Sequence, residues 1–184
     1  MLRHLAFATV AALALAACGQ QGSGPQLPQT QAGAQAPSTQ TAANAQQANL
    51  TDEQRAQLQQ LVGSYLNDVQ NAHGGGMSPA TGFVDEVTGL QPGTDHRWQV
   101  NLNGGTAYRI IGACDNECSN LDIELIDVRT GGVVASDMLP DDYPVVDYTP
   151  TANGAYIVRI MMQTCTIAPC YAGARVLTGT GGAK

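Results

Sequence analysis

The chain has 184 residues and an acidic balance, with 15 Asp and Glu against 8 Lys and Arg, a formal net charge of −7 and a pI near 4.6. Nucleic acid is excluded as a partner class, because neutralising phosphates takes clustered Lys and Arg and those present are scattered along the chain. The length suits one domain and a tail.

The first stretch reads Met1-Leu2-Arg3-His4, then runs from Leu5 to Ala17 without a charge and meets Cys18. A basic start followed by a short apolar run is the build of an export signal. The run falls short of the ~20 apolar residues that cross a bilayer, so residues 1–17 read as a signal peptide that is removed. Leu15-Ala16-Ala17-Cys18 resembles the lipobox of bacterial lipoproteins. That resemblance implies cleavage before Cys18, diacylglycerol on its sulfur and, in many bacteria, a third chain on its amine. A single acyl chain holds a protein marginally, whereas two or three anchor it stably. The expected partner is therefore the lipid bilayer, through the acyl chains on Cys18. Gly19, standing where an Asp would retain an enteric lipoprotein in the inner membrane, points to the periplasmic face of the outer membrane.

Between Gly19 and Asn49 there is no charge and no aromatic residue, and Leu27 is the one large apolar side chain. Such a composition cannot bury enough apolar surface to offset the entropy of ordering, so 18–49 is expected to be the lipidated cysteine and a disordered linker. As a flexible coil it reaches roughly 30 Å. Residues 50–74 then read as one amphipathic helix. Thr51 and Gln54 form a capping-box pattern, and Asp52 and Glu53 suit the positive helix end. Leu58, Leu61, Val62, Tyr65, Leu66 and Val69 recur on one face, and Gly74-Gly75-Gly76 stops the run. That face packs on the domain, or in a sharper reading binds a partner or a second copy.

From 77 to 184 the apolar period changes to two. Trp98, Val100 and Leu102 alternate with polar neighbours, and Asn103-Gly104-Gly105 turns the chain. Tyr108 and Ile110 follow, then Leu121, Ile123 and Leu125. Thr130-Gly131-Gly132 turns into Val133-Val134-Ala135, and further strands are expected over 145–148, 155–163 and 171–177. Short alternating strands punctuated by glycine turns make an antiparallel sandwich or barrel. The fold class is thus mainly β, a sandwich preceded by one helix.

With Cys18 assigned to lipid, Cys114, Cys118, Cys165 and Cys170 remain, an even number in an exported chain, which reads as two disulfides. Three pairings are open. Cys114–Cys118 with Cys165–Cys170 is preferred, each closing a short loop worth about 2 kcal/mol, although a long-range Cys114–Cys170 bridge would be worth about 4 kcal/mol. Geometry has to decide. A zinc site of all four cysteines is the rival, since C-x3-C and C-x4-C resemble ligand knuckles.

The residues Tyr108-Arg109-Ile110-Ile111-Gly112, Asn120 to Leu125, Gly132-Val133-Val134-Ala135 and Gly154-Ala155-Tyr156-Ile157-Val158 follow a familiar order. Together they resemble the bacterial pre-peptidase C-terminal domain, a small β-sandwich appended to many secreted enzymes. The resemblance implies a jelly-roll-like sandwich and an accessory role in substrate or surface binding, with calcium bound by some members.

Nine of the 15 acidic residues lie between Asp115 and Asp147, against a single Arg129. Asp115, Asn116, Glu117, Asp122, Asp137, Asp141 and Asp142 are hard oxygen donors of the kind calcium collects. They nominate a loop calcium site, with a solvated acidic face as the plainer alternative; no other cofactor is expected. Catalytic constellations are missing: His73 and His96 read as surface residues, and no G-x-S-x-G elbow or H-E-x-x-H pattern occurs. Tyr143, Tyr148, Tyr156 and Trp98 could line a ligand surface or simply pack. The expected function is a non-catalytic binding or structural module of the cell envelope, with an envelope protein or glycan as partner. The alternative is an envelope hydrolase that uses loop carboxylates.

Overall fold

The computed structural model describes residues 33–34 and 36–179. Cys18, the signal segment and the first part of the linker lie outside the described residues. In chain order the elements are β1 (Gln46–Gln47), α1 (Asp52–His73), β2 (Ser78–Pro79), β3 (Glu86–Leu90), β4 (Asp95–Leu102), β5 (Tyr108–Cys114) and β6 (Cys118–Asp127). They continue with β7 (Val133–Asp137), β8 (Val145–Tyr148), β9 (Gly154–Cys165), β10 (Ile167–Ala168) and β11 (Cys170–Thr178).

Two antiparallel sheets pack face to face. One has the order β4-β9-β6-β7, and the other β2-β11-β5-β8 with β3 also paired to β11. From β3 onward the chain keeps crossing between them, which is the jelly-roll-like weave. Val100, Leu102, Ile110, Leu121, Ile123, Leu125, Val158, Ile160, Met162 and Val176 fill the space between the sheets. The five-stranded sheet is covered on its other face as well. Leu66 of α1 meets Ile111, Ala113 and Leu177 there, with Tyr65, Val69, Met77 and Val145 around them. Consecutive Ile110 and Ile111 are therefore both fully buried, one against each layer. A strand covered on both faces loses its polar alternation.

Helix α1 begins as its sequence predicts. The Gln54 N–H donates to Thr51 Oγ1 at 3.3 Å, and the Thr51 N–H donates to Gln54 Oε1 at 2.9 Å. It ends at Gly74, and Gly75 and Gly76 then take positive φ angles of 61° and 77°, which L side chains resist. The polar clamp on this layer is Arg175, whose guanidinium reaches Asp85 and the side chains of Asn67 and Gln70 on the helix.

The spacer expected over 18–49 needs a correction in its second half. Residues 36–48 run as an uncharged strap past the end of β9 and the β3–β4 turn to β10. The Ser38 N–H donates to Gln163 Oε1 at 2.8 Å. The Gln40 side chain pairs with the Cys165 backbone twice, accepting from its N–H at 2.9 Å and donating to its carbonyl at 2.7 Å. Strand β1 then lies parallel to β10, and Gln47 and Gln91 exchange reciprocal amide bonds at 2.9 and 3.0 Å. The stretch is poor in apolar side chains, but its glutamine amides satisfy backbone groups at a strand end, so the strap is held by polar pairing.

Candidate functional site at the cross-linked end

Both disulfides sit at one end of the sandwich. Cys114–Cys118 closes the β5–β6 connection and Cys165–Cys170 closes the β9–β11 connection, each with Cα atoms 5.9 Å apart. In each pair one cysteine belongs to the five-stranded sheet and the other to the four-stranded sheet, and Cys118 lies opposite Cys165 in the β6–β9 ladder. The preferred short-loop pairing is the one formed, and all four sulfurs are spent on disulfides rather than on zinc. Each bridge spans a corner at which the chain passes from one sheet to the other.

Asp115 holds that corner. Its carboxylate accepts the Tyr171 N–H at 2.6 Å and the Glu117 N–H at 3.3 Å, and the side chain is buried. Burial pushes its pKa up, opposed by these two backbone bonds. Next to it a cleft of about 340 Å³ opens between the helix and the corner, lined by Tyr65, Asp68, Val69, Ala113, Asn116, Asp142 and Tyr143 together with Asp115 and the Cys114–Cys118 bridge. Tyr65 donates its hydroxyl to Asn116 Oδ1 at 2.7 Å, joining helix to corner. Tyr143 forms the opposite rim, 42% exposed and stacked on His73 with ring centroids 5.0 Å apart.

The proposed calcium ligands are not assembled. Asp115 and Glu117 stay at the corner, where Glu117 accepts from the Thr166 hydroxyl. Asp137 caps backbone N–H groups of Leu139 at 3.1 Å and Val145 at 2.8 Å, and Asp141 accepts from Tyr143 N–H at 3.2 Å. Asp142 lines the cleft. Among the described residues no three His, Cys, Asp or Glu side chains stand together in a way that could hold a metal ion. The acidic run is mostly backbone capping, since Asp accepts readily from the N–H two residues on.

Asp122 is the exception. One oxygen accepts from Gln163 Nε2 at 2.7 Å, while the other is buried with no hydrogen-bond partner. Burial raises its pKa to about 6, helped by the nearby carboxylates of Asp137, Glu124 and Asp141 and opposed by the Gln163 bond. The sequence named Asp122 only as one acid among many. Its position between core residues Leu121 and Ile123, facing away from the core, was the available signal.

The aromatic candidates do not converge. Tyr143 is at the cross-linked end, whereas Tyr148 and Tyr156 meet edge to face at 5.4 Å at the opposite end, beside a second hollow of about 400 Å³. Burial raises the Tyr148 pKa to about 12. Trp98 stacks on His96 at 5.7 Å, and His96 Nε2 lies 3.5 Å from Glu86 Oε2.

The fold and this end define a disulfide-bonded, antiparallel β-sandwich with a helix laid on one sheet. No protein-family model matches the chain, and no curated protein sequence matches it either.

Proposed function

We propose that this protein is a lipid-anchored lipoprotein of the cell envelope that presents a non-catalytic binding or structural β-sandwich. The observation that carries the reading is the accounting of sulfur. Of five cysteines, four pair with one another, which leaves Cys18, in its lipobox setting, without any of them as a partner. Two disulfides also suit an oxidising compartment outside the cytosol. Among the described residues no helix is long and apolar enough to cross a membrane, so lipid supplies the attachment in this reading. An accessory role of the pre-peptidase C-terminal type agrees with the jelly-roll-like weave. The cleft between Tyr65 and Tyr143 is the binding face we assign, for an envelope protein or glycan.

Fractionation of cells expressing the full chain tests the anchor: wild type pellets with membranes and Cys18→Ser becomes soluble. A Cys18→Ser protein that stays membrane-bound overturns it. A photo-crosslinker at Tyr143, with one at exposed Val128 as control, tests the binding face. Recurrent capture of one envelope component from position 143 alone supports it, and equal or no capture from both positions counts against it.

A further inference from the structure

Three side chains of the four-stranded sheet stand on its outer side yet see almost no water. Asp122 lies between core residues Leu121 and Ile123, and Met161 and Gln163 flank core residue Met162. Alternation therefore turns them away from the core. They are nonetheless only 3%, 7% and 7% exposed. The strap runs over this ground. Gln163 bridges the two, donating to Asp122 and accepting from the Ser38 N–H. The strap also lies so close to the β3–β4 turn that a Cβ on Gly93 would come 2.9 Å from the Gln40 carbonyl oxygen.

We propose that residues 36–48 form a releasable strap, docked through Gln163 over Asp122 and through Gln40 at Cys165, whose release lengthens the chain leading into the domain. The contacts holding it are hydrogen bonds, and none of its side chains is among the buried core residues; Ala45 alone packs partly against them. Such a segment opens more cheaply than a core strand. Its docking is also graded by pH. Glu124 on the same strand, Asp137 on β7 and Asp141 beyond it are the titratable groups around Asp122, Arg159 is held by Glu124 and Asp95, and the strap carries no titratable side chain. A buried, half-satisfied carboxylate favours its protonated form, so acid tightens the docked state and neutral pH loosens it. The proposal stands independently of lipid on Cys18; where Cys18 is anchored, docking shortens the tether.

Backbone hydrogen exchange on the full chain reads this directly. The Ser38, Ala48 and Cys165 amides, each committed to a strap contact, are expected to exchange through one shared opening while Val158 and Ile160 stay protected. After correction for intrinsic rates, protection at the strap amides rises between pH 7 and pH 5 by up to about tenfold, the limit reached when docking supplies the whole of the shift that burial and the neighbouring carboxylates give Asp122. Asp122→Asn abolishes that rise, and Gln163→Ala exposes the strap amides with Ile160 unchanged. Should Gln163→Ala fail to fold, Gln40→Ala severs only the two bonds to Cys165 and is expected to give the same selective exposure. Strap amides that open only together with Ile160, or that are unprotected at every pH, overturn the proposal. So does a pH dependence that survives Asp122→Asn.

Discussion

Asp122 keeps its proton in the folded chain up to about pH 6, whereas the unfolded chain releases it near the ordinary value of 3.8. Between those two values the folded state binds more protons, so stability falls as pH rises through this window and levels off above it. The cost at neutral pH is at most about 3 kcal/mol for a shift of this size. Asp122→Asn keeps an acceptor for Gln163 and removes the buried charge. It is expected to stabilise the protein by about 1 kcal/mol at pH 7.5, with little effect at pH 4. Urea titrations at the two pH values check it, and equal shifts at both would contradict the assignment. Arg175 sits at the other extreme of satisfaction, with its pKa raised chiefly by the hydrogen bonds to Asp85. Arg175→Met is expected to cost about 1–3 kcal/mol, because the charged hydrogen bonds that pin helix to sheet are lost.

Among the elements, α1 and most strands were legible in the sequence because each carries its own period. The capping box and glycine stop bracket the helix to within two residues at either end, and 145–148 is a strand as expected. Strand β3 was not legible: Glu86-Val87-Thr88-Gly89-Leu90 has a glycine inside it and too few apolar residues to show alternation. It forms because Gly89 lets the Tyr171 ring close over it, where a Cβ would stand 3.1 Å from the ring. The buried helix face was legible, but its unequal burial was not, since only Val62 and Leu66, in the middle of the helix, are sealed. Two variants separate the halves. Leu66→Ala is expected to cost about 3 kcal/mol in global stability. Thr51→Ala loses a cap at a little-buried end, so it should cost under about 1 kcal/mol and speed exchange only near Gln54. The calcium set failed to assemble because spacing along a chain does not say which oxygens are already committed to nearby N–H groups.

For the whole molecule, the two disulfides give the sandwich one covalently fastened end and one held by packing and turn-to-turn hydrogen bonds, where Tyr148 and Tyr156 meet. Breaking either bridge with paired Cys→Ser changes is expected to cost about 2 kcal/mol. Thermal melts of the single-bridge variants check it, and the Cys165–Cys170 loss should also loosen the strap, since Gln40 grips the Cys165 backbone.

That placement of the strap has a mechanical consequence. A pull from the amino-terminal side reaches β9 and β10 first, beside covalent links that join the two sheets, so the load meets the part of the fold least able to part. The strap peels before any sheet shears, and it behaves as a shock absorber. Held between its two ends in a force experiment, the chain should show an early, reversible lengthening of up to roughly 40 Å from the thirteen or so strap residues, well before the sandwich gives way.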